Sequence, residues 1–289
     1  MRKADYINSA SVKDFIKWIE PRLGSPNGFC HSYLMKKPAK HWACDSIYSA
    51  YETYYWPFRG RDPYTGHELR GSSLEDSARY LGALSLRLRN SIENMDHAAC
   101  SKYCLLILQW GGVRNKNDKR IQQLGSQICN YFREVEQIFS SDLLLSDYYR
   151  DGIIMNSGFT KIYALYLEDF IIYDGRVGAA LGFLVRKFCE DMELNQVPPE
   201  LLFAWGRGKE QTYKPGSINR RNPSKGHYIF PELLNNPKRH TESNIKANWL
   251  LKAILDNTQS KFNKLDQKMQ LIALQSALFM IGYCVVDIN

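Results

Sequence analysis

Lys161 and Asp174 stand where side-chain chemistry and helix geometry coincide. Within 156–181, NSGFTKIYALYLEDFIIYDGRVGAAL, Thr160 and Lys161 open a short helix after Ser157 and Gly158. Asp174, Gly175 and Arg176 open the next, thirteen residues beyond Lys161. A helix N-terminus presents unpaired backbone N–H groups that favour anions such as phosphates. One of these two carries a primary amine and the other a carboxylate. A desolvated amine that loses its proton is a nucleophile. A carboxylate held ionised by a helix end stabilises a developing cation, or takes a proton from an attacking group. The plainer readings are that Asp174 caps its helix and that Lys161 is a surface lysine.

These residues sit in a chain whose patterning is helical. Apolar spacing predicts helices over 11–22, 41–56, 96–110, 118–139, 142–150, 241–255 and 264–285. Ser73, three residues before Asp76, predicts an N-cap for a helix running to about Ile92. The polar run 59–71, RGRDPYTGHELRG, reads as a loop with turns at Pro63 and Gly66. The centre, 151–190, reads as two short helices and a longer one separated by turns. The expected architecture is mostly α and two-lobed: a helical N-terminal lobe over 1–140, then a catalytic lobe over 141–289.

The residues 157–181 resemble the helix–hairpin–helix DNA glycosylase superfamily, and within it the 8-oxoguanine glycosylase branch. That branch has a Gly-rich hairpin, then Thr-Lys opening a helix, an apolar stretch, and an Asp that starts another helix before a Val. Gly158, Thr160, Lys161, the apolar run to Tyr173, Asp174 and Val177 match that order. The blocks IIYDGRVGAAL, FAWGRG and HTESNIKANWLL are similar to bacterial proteins with the 8-oxoguanine glycosylase fold. The resemblance implies a helix–hairpin–helix glycosylase-like fold that breaks the base–sugar bond of double-stranded DNA without an organic cofactor. Lys161 is then expected as the attacking nucleophile and Asp174 as the carboxylate facing the sugar cation, with Ser157, Gly158, Thr160 and Arg176 on the DNA. The base must leave the duplex for a pocket. Oxidised guanine is one expected substrate; a glucosylated hydroxymethylcytosine of phage DNA, excised in defence, is another. A DNA-binding module without chemistry and a protein-binding scaffold are the alternatives.

Charge supports a polyanionic partner. The 289 residues carry a net +8, with 13% aromatics. Phosphates attract Lys and Arg while bases stack on rings. Nine basic residues against three acidic ones fall within 203–246, a long basic loop near the C-terminus rich in proline and glycine. Arg207, Lys209, Arg220, Arg221 and Lys225 are its expected phosphate contacts, unless the run is only a solvated face. Trp205, His240 and Asn244 are the expected base pocket, whereas Trp249 lies in an apolar helical run and suits the core.

Seven scattered cysteines and a charged start predict reduced thiols, no signal peptide and a cytoplasmic chain, here expected as a monomer. The apolar stretch 271–286 is short for a membrane span and reads as a buried helix. His97, Cys100 and Cys104 share a helical face but are expected as core residues rather than metal ligands. Phosphate-loop, dinucleotide and zinc-protease motifs are absent from the sequence.

Overall fold

The computed structural model describes residues 1–36, 38–208 and 219–286. The described residues are mostly helical, with two short antiparallel hairpins among them. The chain begins with α1 (Lys3–Asn8), α2 (Ala10–Gly24), β1 (His31–Lys36), β2 (Ala39–Cys44) and α3 (Ile47–Glu52). Next come β3 (Phe58–Arg61), β4 (Glu68–Gly71), α4 (Leu74–Glu93), α5 (His97–Trp110), α6 (Asn117–Leu124), α7 (Ile128–Phe139) and α8 (Phe159–Tyr166). The last elements are α9 (Gly175–Asp191), α10 (Pro237–Asn257) and α11 (Gln267–Ile281). Among the described residues no helix is long and apolar enough to cross a membrane.

The chain forms two compact units, one of Met1–Tyr54 with Tyr173–Asn289 and one of Tyr55–Ile172. A single division at residue 140 does not describe this arrangement, because the first unit is assembled from both ends of the chain. Lys161 belongs to one unit and Asp174 to the other.

In the first unit α9 is buried on nearly every side from Val177 to Phe188, the pattern of a helix at the middle of a core. It packs on α2 and α11, and α10 joins α1, α2 and α11 around it. Helix α9 reaches its neighbours through glycines. A Cβ at Gly178 would run into the Ala204 carbonyl oxygen, and one at Gly282 into the carbonyl oxygen of Arg176. The β1–β2 hairpin pairs Tyr33 with Trp42 and stacks those rings 4.6 Å apart. Tyr33 also stacks on Tyr283 and donates to the Met280 carbonyl at 2.7 Å, so the hairpin is fastened to the end of α11.

In the second unit α4 and α5 pair, with α7 and α8 packed on both. Ser73 caps α4 as expected: its hydroxyl accepts from the Asp76 N–H, and Asp76 returns a bond to the Ser73 N–H. Asp96 caps α5 through the Ala99 N–H. Phe132, Phe159 and Tyr163 fill the interior.

Several elements differ from the sequence pattern. Residues 41–56 divide into strand β2 and helix α3, since Trp42 pairs across to Tyr33 and Ser46 starts a new helix at its cap. The run 59–71 is the β3–β4 hairpin rather than a loop. Its buried positions are Phe58 and Gly60, and glycine adds no hydrophobic signal to the alternation. The long helix over 118–139 is broken by a 3-10 turn at Gly125–Gln127, where Gly125 has φ +47°. Only a 3-10 turn, Leu145–Tyr148, forms where a helix was expected before α8, so the first helix of the expected hairpin is missing.

Adding a methyl at Gly282 should push α9 and α11 apart. Gly282→Ala is expected to cost about 1–3 kcal/mol in urea unfolding, the range for overpacked cores. Gly82→Ala, at an exposed α4 position with open space around it, should instead add about 0.5–1 kcal/mol.

Candidate functional site

The start of α9 is built by Asp174. Its Oδ1 accepts the backbone N–H groups of Arg176 at 2.9 Å and Val177 at 3.2 Å, so the carboxylate is fixed on the positive end of the helix. Tyr173 before it is fully buried; its hydroxyl donates to the Ala204 carbonyl, and its own carbonyl meets His240 Nε2 at 2.8 Å. The carboxylate is thus held from the helix behind it and the loop beside it.

Three arginines share this corner. The Arg176 guanidinium lies over the rings of Phe279 and Tyr283, at 4.2 and 4.9 Å. Arg220 lies 4.1 Å over Tyr283. Burial lowers the Arg176 pKa from its ordinary value, while the negative charge of Asp174 acts the other way. Burial, and then the neighbouring charge of Arg176, push Arg221 down to about 10, again opposed by Asp174. Arg176 and Arg221 feel the Asp174 carboxylate in a partly desolvated place, with Arg220 beside them and aromatic rings against Arg176 and Arg220. Such a site suits a phosphate or another oxyanion, because planar guanidinium forks match it.

The amine lies at the start of α8 in the other unit. Asn156 Oδ1 accepts the N–H groups of Gly158 and Phe159, and its carbonyl accepts the N–H of Thr160. The Lys161 N–H reaches the Gly158 carbonyl, so the chain itself occupies the helix end that was expected to receive phosphate. Thr160 is fully buried with its hydroxyl on the Ser157 carbonyl, and Gly158 is closed off by the Asn117 amide. Lys161 is 5% exposed, not a surface lysine. Its stem crosses Gly111, where no Cβ would fit, and Nζ donates to the Ser157 carbonyl at 3.0 Å.

The other expected residues divide by burial. Arg207 grips the Glu232 carboxylate with both arms of its fork at 2.8 Å, so phosphate contact there must compete with that pair. Lys225 is exposed beside a turn at Gly226. Lys209 lies outside the described residues. Trp205, His240 and Asn244 are 2%, 5% and 0% exposed. The Trp205 indole donates to the Phe230 carbonyl, His240 holds Tyr173, and Asn244 bonds Asn248 along α10. As arranged, these three are buried and engaged inside the first unit rather than lining an exposed base pocket. Trp249 is buried against Tyr6, as core packing required.

Sequence reasoning missed Asn156, Tyr283 and Asn219. Asn156 carries the Asx signature of an N-cap two residues before Gly158. Tyr283 lies beyond α11 and has no local signal. Asn219 holds Gly208 through its amide in both directions and accepts the Arg221 N–H, fixing the approach to the arginines. Among the described residues no group of three or more His, Cys, Asp and Glu could hold a metal. Cys100 and Cys104 are fully buried. No protein family, curated protein or solved structure matches the chain.

Lys246, counted with the basic loop, is buried in α10 and donates to the carbonyls of Pro199 and Leu202. Burial pulls its pKa down to about 8, against the pull of Glu242 and Glu200. The unfolded chain therefore binds this proton more tightly between pH 8 and about 10.4. Over that window Lys246 makes the protein more stable as pH rises. Lys246→Met removes this contribution. The stability of wild type minus that of the variant should climb by up to about 1.4 kcal/mol per pH unit from pH 8 to 10. Buried thiols and phenols titrate in the opposite sense but cancel in the difference, which urea unfolding at stepped pH reads directly.

Proposed function

We propose that this protein is a DNA glycosylase that excises a damaged or modified base by hydrolysis and leaves an abasic site. The observation that carries the reading is the Asp174 carboxylate, clamped on the first turn of α9 beside Arg176, Arg220 and Arg221. Breaking a base–sugar bond builds positive charge on the sugar, and a fixed carboxylate stabilises it without reorganising. The arginines suit the other part of the substrate, the phosphates of the same strand. In the reaction water forms the new bond to the sugar carbon while Asp174 takes its proton. The base departs with the electron pair of the broken bond and is protonated.

The likeness of 157–181 to the glycosylase superfamily supports the same reading, and Lys161 keeps its expected position after Thr160. Its amine, however, is engaged with the Ser157 carbonyl and its stem is enclosed. This supports a positioning role at the start of α8 over the nucleophilic one. Oxidised guanine and a glucosylated hydroxymethylcytosine of phage DNA remain the two substrates proposed. The second would make the activity a defence against phage.

Duplexes carrying each modified base, incubated with the protein and then heated in alkali, test the activity. Strand cleavage is expected only after alkali, and borohydride should trap no adduct. Asp174→Asn keeps a good N-cap and should fold normally, yet excise at least about a hundredfold more slowly. Full excision by that variant would remove the carboxylate from the mechanism. A borohydride adduct that vanishes in Lys161→Ala would restore the lysine as nucleophile.

A further inference from the structure

We infer that the outer face of the β3–β4 hairpin is a second surface for duplex DNA, gripping backbone phosphates through Arg59, Arg61 and Arg70. The inference rests on the reading of DNA as the partner, but on residues outside the candidate site. Cross-strand register sets Arg59 opposite Arg70 and Arg61 opposite Glu68, and partners across an antiparallel pair share a face. All four are exposed. Like charges directly opposite one another destabilise a hairpin, so the Arg59–Arg70 pair works against the fold that carries it. Among the described residues none of the three guanidiniums has an ion pair or a side-chain hydrogen bond, not even Arg61 with the glutamate across from it. Three extended cations on one small face thus await an anion from outside.

The hairpin is stiff enough to present them. Its inner face is fixed by Phe58, stacked on Tyr80 at 5.3 Å, and by Gly60, where a Cβ would meet the Tyr80 hydroxyl at 2.5 Å. The tip is tied by Asp62, whose Oδ1 accepts the N–H groups of Tyr64 and Thr65 and whose carbonyl accepts that of Gly66. Tyr64 is 55% exposed there, with the Arg87 guanidinium 4.2 Å from its ring centre. A tip bearing a cation-covered tyrosine, Thr65 and His67 lacks the apolar wedge that a membrane surface requires, whereas a base or sugar can meet the ring. A row of cations along a strand, repeated about every 6.8 Å on one face, suits a regular chain of phosphates.

The test is the salt dependence of duplex affinity, measured by fluorescence anisotropy with the full chain. Replacing Arg59, Arg61 and Arg70 together by Ser should lower the slope of log K against log salt by about 2–3 in magnitude. Replacing all three by Lys should leave that slope near wild type. The Ser variant should also melt no lower than wild type, since it relieves a repulsion. An unchanged slope in the Ser variant, with duplex still bound by wild type, overturns the inference and leaves the proposed activity standing. Failure of wild type to bind any duplex overturns both. Binding to phosphatidylserine vesicles that the Ser variant loses, while its duplex slope is unchanged, would assign the face to lipid and overturn the inference as well.

Discussion

The close approach of backbone to backbone at the start of α9 is the constraint on which the first unit depends. Gly178 lets the helix lie on the Ala204 carbonyl, and Gly282 lets the end of α11 lie on the carbonyl of Arg176. Neither contact leaves room for a methyl group. With the helix held from both directions, Asp174 has little freedom, and its two N–H bonds remove what is left. Preorganisation of this kind is what electrostatic catalysis requires, since a carboxylate that must move into place contributes less. The same packing brings Phe279 of α11 under Arg176, and Tyr283, just beyond the helix, under Arg176 and Arg220.

Burial makes this corner energetically expensive as well as ordered. The arginines near Asp174 outnumber it, and desolvation alone already opposes the charge of Arg176 and Arg221. Rings beneath the guanidiniums compensate part of that cost, because the face of an aromatic ring carries negative potential. Arg176 and Arg220 both lie over the Tyr283 ring, at 4.9 and 4.1 Å. Arg207 is the contrasting case: its fork is already closed by Glu232, a partner of matching shape.

Local chemistry was legible in the sequence and tertiary use was not. Ser73, Asp96 and Asp174 cap helices as their residue types predict, because a cap involves only the next three residues. The start of α9 and the helical character of α4, α5, α10 and α11 follow from spacing for the same reason. The β3–β4 hairpin stayed hidden because its buried face is one phenylalanine and one glycine. Lys246 was counted with the basic run and His240 with the base pocket because polar types normally face water. Here α10 is buried along most of its length, and both side chains find backbone carbonyls inside. Basic residues of one sequence run therefore have different fates: Arg221 lies beside Asp174, while Lys246 supports the core.

The surroundings of Lys161 and Asp174 bear on which reaction is proposed. The boundary falls between Ile172 and Tyr173, so α8 with Lys161 and α9 with Asp174 belong to different bodies. A route through Lys161 as nucleophile needs its amine aligned on the sugar carbon within the narrow tolerance that covalent attack demands. It also requires Lys161 to give up the Ser157 carbonyl and leave its enclosure on Gly111. A hydrolytic route asks less: a carboxylate, a water and cations for the flanking phosphates, of which Asp174 and the three arginines all lie in one unit. Arg176 and Arg221 feel the charge of Asp174 and of Arg220, so an anion bound there would also alter the field at the carboxylate. In the proposed reaction, phosphate binding and stabilisation of the sugar cation would be two effects of one arrangement. For that reason the carboxylate corner, rather than the lysine, is the part of the chain to which the chemistry is assigned.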